Sequence, residues 1–582
     1  MSPQGQITTG EEQVMSGAVH GGEYPRPEGV FGAATVPEAL ERSAGTAAGI
    51  TVVDRHLEET PLPYALLASS ARRVAAGLAE AGVVPGDRVA LISSTSPGFL
   101  FSLFGVWRAG AVPVILPLPH RLSDLPDTVA EINRRLDHVD ARAVVVADAF
   151  GDFMSGRIDA RRPVLGCGEL SAVREELAGP IAVAPDDLGY LQFTSGTTGA
   201  ARAVALTHRQ LLTNAAVCCE RLRLDRERSV HVSWLPLYHD MGLISVLAGM
   251  SYGIRLVLQS PEAFLSRPDS WVDALSRYRA TSTVAPNFAY GLAARGMRLA
   301  PRELDLSALE VCGDGAEPIR AATLERFVAA GSRHGLRPQA VTPMYGLAEA
   351  TLAVAMGEVD APLAWDHVSR EGLQTGGVAR PVAPGSPDSR ALAVCGHPVP
   401  GVSVQITDEE GRALGDREVG EICVRSPALM EGYWAEPEAT ARVVRDGWLR
   451  TGDLGYRMAD GLVVCGRIKD MIIVGGRNLY PEDYEHVAVK VEGVRPVCAA
   501  FAVPGTERMI VAVEPVKGAD GPEELAARVM TRLREQLGHA PDRVVVVAKD
   551  SIPRTSSGKV QRGRCRERYL AGELSVVAEL AR

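Results

Sequence analysis

Short apolar, β-branched runs alternate along this chain with longer stretches in which apolar residues recur at helical spacing, a pattern that predicts α/β architecture. In the first third, residues 88–92, 111–116 and 143–146 read as buried strands, with helices over 97–108 and 125–139 between them. Residues 190–193 form a short strand leading into a loop of hydroxyl and glycine residues at 194–199, and 203–206 is extended again. Thr207 and Gln210 then have the spacing of a capping box, so the loop lies between two strands. The stretch 99–119 is the most membrane-like, but Arg108 and Pro113 sit inside it. It reads as a core helix followed by a buried strand, with no membrane span.

Near Arg467 the pattern resets. Strands over 471–474, 498–503, 509–516 and 544–547 and helices over 481–491 and 522–537 predict a small α+β unit, and Pro481 suits a first helical turn, where its missing donor is not needed. Residues 357–390 are poor in large apolar side chains and rich in Gly, Pro and charge, which marks an inserted surface element. The opening residues lack the basic and apolar regions of a secretory signal and read as a disordered leader over 1–30. The predicted organisation is a body over 31–467 and a C-terminal domain over 468–582.

Composition narrows the function. With 582 residues, 46% hydrophobic and 23% charged, the chain is long enough for a large core. A net charge of −10, from 61 Lys+Arg against 71 Asp+Glu, argues against nucleic-acid binding and against a polybasic membrane patch. Nine cysteines without a C-x-x-C pair point to a reduced, cytoplasmic setting.

The loop Thr194, Ser195, Gly196, Thr197, Thr198, Gly199 carries the clearest chemistry. Glycines let backbone N–H groups approach an anion, and the hydroxyls add donors, so the loop suits a phosphate. It lacks the lysine and the immediately following helix of a Walker loop.

Further motifs follow in order: SWLPLYHDMG at 233–242, APNF at 285–288, GAEPIR at 315–320, YGLAE at 345–349, WLRTGD at 448–453, GRIKD at 466–470 and PRTSSGK at 553–559. Together with the loop they span about five hundred residues. On these motifs the chain resembles the adenylate-forming superfamily of acyl-CoA synthetases, luciferases and nonribosomal adenylation domains, and within it the fatty acyl-AMP ligases. The resemblance implies a large multi-subdomain body with βαβ-type sheets and a β-barrel-like subdomain, joined to a small mobile α+β lid. It implies ATP and Mg²⁺ as cofactors and attack of a carboxylate on the α-phosphorus, giving acyl-AMP and pyrophosphate. A thiol then takes the acyl group.

The resemblance also implies roles for residues. Lys559 would sit between carboxylate and α-phosphate, where a unit charge about 4 Å away is worth roughly 4 kcal/mol at an effective dielectric near 20. Glu349 would be the Mg²⁺ ligand, with Thr197 beside it, and a carboxylate oxygen suits that hard ion. Tyr345 would stack on adenine, with Gly315, Ala316 and Glu317 on the other face and Gly346 adjoining. Asp453 and Arg467 would take the ribose hydroxyls, and Lys469 would be the hinge of the lid. His239 would line the acyl channel, with Met241, Gly242, Leu243, Asn287 and Phe288 as pocket wall.

Two positions depart from many relatives, Arg202 where lysine is common and Asp314 where asparagine is common. Fatty acyl-AMP ligases resemble this chain in carrying a segment between the YGLAE motif and Cys395-Gly-His-Pro398. In them it is thought to restrain the hinge and disfavour free coenzyme A. This implies a carboxylic, fatty acid substrate and an acyl carrier protein phosphopantetheine as acceptor. The alternatives are an acyl- or aryl-CoA ligase using free CoA, a relative adenylating an oxyacid such as nitrite, or a catalytically silent nucleotide-binding protein. The net negative charge further predicts that Arg202, Arg467 and Lys559 are concentrated in the cleft, where anionic ATP and carboxylate must meet.

Overall fold

A computed structural model describes residues 18–22, 32–118, 125–179, 183–194, 201–299, 303–519, 521–554 and 558–582. Its first sheet is parallel, in the order Val112–Ile115, Arg88–Ile92, Ala141–Val146, Val164–Gly166. The helix Pro97–Arg108 between two of these strands starts where Ser96 Oγ accepts from the Phe99 amide at 3.2 Å, with proline at its first turn. It is apolar nearly all round because it is buried all round. Gly105 allows the neighbouring helix Tyr64–Glu80 to come close, since a Cβ there would lie 2.4 Å from Val74 Cγ1. Arg108, which broke the apolar stretch in the sequence, is 7% exposed and donates to the carbonyls of Leu177 and Gly179. No described helix is long and apolar enough to cross a membrane.

The second sheet has nine strands. Its parallel centre runs Val341–Gly346, Val311–Asp314, Ser282–Ala285, Val230–Ser233, Arg255–Gln259, Gly49–Val53. Ala353–Met356 and His397–Pro398 extend one edge antiparallel, and Glu59–Pro63 the other. Parallel strands deliver their following loops to one end of the sheet, which is where ligands bind in such folds. A smaller antiparallel sheet, Leu188–Phe193 with Ala203–Thr207 and Gly432–Tyr433, holds the two ends of the hydroxyl loop together. The Thr194 amide donates to the Arg202 carbonyl at 2.9 Å, and the capping box of Thr207 and Gln210 opens the helix His208–Arg221.

The third unit is an antiparallel sheet in the order Val19–His20, Ser403–Thr407, Gly420–Arg425, Trp448–Met458, Val444–Arg445, with Gly461–Arg467 paired to Trp448–Met458. The resemblance implied a barrel-like subdomain; among the described residues these strands form an open sheet. Val19–His20 corrects the reading of 1–30 as a wholly disordered leader: the pair adds an edge strand to Ser403–Thr407, and His20 Nδ1 shares a 2.6 Å hydrogen bond with Ser403 Oγ.

The segment 357–390 is also more than a surface loop. Trp365–Ser369 and Ser389–Ala393 form an antiparallel hairpin, and Val368, Leu373, Ala379 and Leu392 pack with Tyr456 and Tyr480 in a small core of their own. Beyond the short turn Ile468–Asp470 lies the C-terminal unit. Its sheet runs Val494–Ala502, Met509–Pro515, Arg543–Val547, Val576–Ala581 and packs against Pro481–Ala488, Pro522–Leu537 and Arg562–Leu570.

Candidate active site

A cavity of about 210 Å³ lies at the carboxyl end of the nine-stranded sheet, beneath the C-terminal unit. The strand Val341–Gly346 brings Tyr345 and Gly346 to its wall and the turn Ala348–Ala350 brings Glu349, while the loop after the strand Val311–Asp314 brings Gly315 and Ala316. Ala316 holds a left-handed φ of +68°, a conformation that costs a non-glycine residue about 1–3 kcal/mol and clusters at functional sites. Thr194 enters at the end of its strand. Arg467, Lys469 and Lys559 close the cavity from the C-terminal side, so residues far apart in the sequence share one wall.

Hydrogen bonds fix the polar end. Tyr345 donates its hydroxyl to Asp453 Oδ2 at 2.7 Å, while Arg467 Nε lies 2.8 Å from Asp453 Oδ1, which places Asp453 just behind the lining and 4% exposed. Tyr433 donates to Glu349 Oε1 at 2.9 Å. Burial raises the Glu349 and Asp240 carboxyls above the usual range. It lowers the Lys559 ammonium, opposed by Asp240 and Glu317, and lowers Lys469, with Arg467 adding to that effect. His239, on the residue before the helix Asp240–Tyr252, is held to about 3, first by burial and then by Lys559. It is a neutral imidazole facing a cation.

Away from this end the wall turns apolar. Met241, Ser245, Ala248 and Gly249 project from one face of the helix Asp240–Tyr252, opposite Cys218, Leu222 and Leu224 at the end of His208–Arg221, with Ile254, Leu352, Ala353 and Met356 completing the wall. From Met241 to Gly249 the helix advances about 12 Å. The cavity thus has an apolar end, termed the tunnel, continuous with a charged chamber.

Several expected residues lie elsewhere. Leu243 is a core side chain, 1% exposed. Gly242 serves packing, since a Cβ there would stand 2.3 Å from the Pro236 carbonyl oxygen. Neither lines the cavity, and neither do Asn287 and Phe288. Asn287 donates to Asp314 Oδ2 at 2.6 Å, which gives the departing Asp314 a buried partner, and Phe288 packs on Trp234 beside the backbone of Gly558. Glu317 accepts from the Phe288 amide at 2.6 Å, outside the lining. Arg202 is drawn to Glu436 at 3.3 Å and lies over the Tyr433 ring, so it is not among the lining cations; Lys469 takes that place with Arg467 and Lys559. Ser195, Gly196, Thr197, Thr198 and Gly199 lie outside the described residues. Sequence reasoning missed the tunnel wall at Cys218, Leu222, Leu224 and Ile254 and the polar residues His231, Asp240 and Ser245. Asp240 stood in the SWLPLYHDMG motif with no role of its own, and the others carried no motif; only the packing of separate helices and strands around one cavity reveals them.

The fold and this chamber define an enzyme that forms adenylates. Residues 40–434 match the AMP-binding enzyme family, and the chain belongs to it. It is 32% identical to the medium-chain-fatty-acid–[acyl-carrier-protein] ligase JamA of Moorena producens over 547 residues, 89% of this chain and 91% of that protein. It is 32% identical to the long-chain-fatty-acid–AMP ligase FadD32 of Mycolicibacterium smegmatis over 575 residues, 88% of this chain and 89% of that protein. A solved structure from studies of fatty acyl-adenylate ligases from E. coli and L. pneumophila superposes with a TM-score of 0.86 at 32% identity, covering 92% of this chain and 98% of that one. The protein is therefore an ATP-using ligase that activates acids as acyl adenylates.

Proposed function

We propose that the acid is a medium- or long-chain fatty acid and that the acyl group passes to the phosphopantetheine thiol of an acyl carrier protein. The observation that carries this reading is that one cavity holds both the apolar wall and Lys559. The tunnel takes the alkyl chain and leaves the carboxylate at the charged end. There Lys559 offsets the repulsion between carboxylate and α-phosphate as a carboxylate oxygen bonds to phosphorus and pyrophosphate leaves with the broken bridging bond. Tyr345, Gly315 and Ala316 form the adenine site, and Asp453 with Arg467 the ribose site.

Glu349 fits a Mg²⁺ ion: it is one hard oxygen donor in the chamber, and such an ion draws its remaining ligands from phosphate oxygens and water. Bound Mg²⁺ supplies charge neutralisation on the phosphates.

Lys469, in the turn Ile468–Asp470, is the hinge about which the lid turns for the thiol step. In that step the thiolate bonds to the acyl carbon and AMP departs. JamA is named for transfer to a carrier protein, and the folded insertion pinned to the C-terminal unit supports the same acceptor here.

The test is acid-dependent pyrophosphate release, followed by mass analysis of a holo-carrier protein and of CoA as competing acceptors. Loading of the carrier with fatty acyl groups, and little acyl-CoA, is the expected result. Equal or preferential acyl-CoA formation overturns the acceptor assignment, and no release with any fatty acid overturns the substrate class.

A further inference from the structure

One polar group in the tunnel has no role in the chemistry above. His231 lies on the strand Val230–Ser233, where side chains alternate: Val230 and Val232 enter the core on one side of the sheet, and His231 faces the other way and lines the cavity. The side chain is 3% exposed. Its Nδ1 shares a 3.0 Å hydrogen bond with the hydroxyl of Ser282 on the adjacent strand. Its Nε2, closed off from solvent, has no hydrogen-bond partner among the described residues. Burial holds the ring to about 4, so it is neutral, with one nitrogen a donor and the other an acceptor.

An orphaned buried nitrogen is expensive, and a leucine or phenylalanine would complete an apolar wall without that cost. Such an atom in a ligand tunnel is explained when the ligand supplies the missing partner. Ser245 adds a second polar atom to the wall: its Oγ donates to the Gly242 carbonyl at 2.9 Å and retains its lone pairs for a ligand donor.

We infer that His231 is a specificity-determining residue, and that the preferred acid carries a hydroxyl group part of the way along its chain, hydrogen-bonded to His231 Nε2. This rests on the fatty-acid reading of the tunnel and sharpens it to hydroxylated chains. A hydroxyl group both donates and accepts, so it satisfies whichever role the rotatable Ser282 hydroxyl leaves to Nε2, whereas a ketone only accepts. His231 lies two residues before the strand end at Ser233, about 7 Å deeper. The hydroxyl therefore belongs several carbons from the carboxylate and not next to it.

The experiment compares kcat/KM for acid-dependent pyrophosphate release using one unsubstituted medium-chain acid, a set of its isomers bearing a single hydroxyl at successive carbons, and the matching ketones. These are run with the wild-type enzyme, His231→Leu and His231→Gln. In the wild type, one mid-chain hydroxy isomer should exceed the parent acid by roughly ten- to hundredfold, the usual weight of a buried hydrogen bond. His231→Leu should bring the ratio of kcat/KM for that hydroxy isomer to kcat/KM for the parent acid down to about one, and His231→Gln should keep part of the preference.

A wild-type profile in which no hydroxy isomer exceeds the parent overturns the inference and leaves the fatty-acid reading standing, as does a preference unchanged in His231→Leu. A preference for the ketone overturns the hydroxyl assignment. Absence of release with every acid takes both readings down. The wild-type profile decides the matter even where a variant fails to fold.

Discussion

Arg390 of the inserted hairpin holds Asp483 of the C-terminal unit at 2.9 Å, with the two side chains 8% and 11% exposed. The guanidinium also lies 4.2 Å from the Tyr480 ring centroid and donates to the Cys465 carbonyl at 3.0 Å. The insertion is thus bound to the helix Pro481–Ala488 of the C-terminal unit by a buried ion pair, and breaking such a pair from one side costs about 3–5 kcal/mol. Arg390→Ala should lower the thermal midpoint, speed proteolytic cleavage near Ile468–Asp470, and raise the share of acyl groups transferred to CoA over carrier protein. An unchanged product ratio in a folded variant would remove the insertion from acceptor choice.

Tyr345 and Asp453 are joined by a 2.7 Å hydrogen bond, and Arg467 completes the carboxylate's partners. Tyr345→Phe removes a donor to a charged acceptor, an interaction worth about 1.5–3 kcal/mol. The KM for ATP should rise about tenfold or more, with little change in the KM for the acid. Steady-state kinetics with each substrate varied in turn checks this, and an effect confined to the acid would place Tyr345 on the wrong substrate.

Ala248 lines the deep part of the tunnel and is 3% exposed. Ala248→Phe should fill that space and shift the preferred acid to a shorter chain, with the shortest acids turned over as before. A panel of acids of increasing length reads the shift. A uniform loss across the panel would mean that the chain does not run past this residue.

Much of the framework was legible in the sequence because its signals are local. The helix Pro97–Arg108 announced itself through Ser96, Pro97 and an apolar run, and the capping box at Thr207 marked the next helix after the loop. The insertion's hairpin was hidden because the strand Trp365–Ser369 buries a charged residue: Asp366 is 7% exposed, taking bonds from Tyr456 at 2.6 Å and Arg417 at 2.9 Å, and its residue type reads as surface. The motifs led to the polar end of the site, where Lys559 and Glu349 stand, while Leu243 and Gly242 beside them turned out to be packing residues. His231 carried no motif, since its meaning depends on which face of a strand it takes.

Histidines that burial keeps neutral set a pH dependence, and His486, held to about 4, and His539, also lowered, add to the three in the body. Burial holds His208 and His231 to about 4 and His239 to about 3, below the usual value near 6.5. As pH falls below 6.5 the unfolded chain gains protons that the native one does not, so stability falls with falling pH between about 6.5 and 4. The buried carboxyls Asp240 and Glu349, raised in the native protein, act in the opposite direction. His231→Leu should therefore reduce the loss between about pH 6.5 and pH 5 by about 2 kcal/mol, read by urea unfolding at each pH. An equal loss in wild type and variant would contradict the burial of His231 as a neutral ring.

On the proposed function, Lys559 joins the apolar end of the cavity, which takes a fatty acyl chain, to the chamber where the adenylate forms. The most direct test is native mass spectrometry of the enzyme after incubation with ATP, Mg²⁺ and a mixed pool of fatty acids. Wild type should retain one or a few acyl adenylates, and Lys559→Ala should bind ATP but form adenylate about a thousandfold more slowly, as loss of roughly 4 kcal/mol of transition-state stabilisation requires. No adenylate on the wild type, or adenylate formed at an undiminished rate by Lys559→Ala, would contradict it.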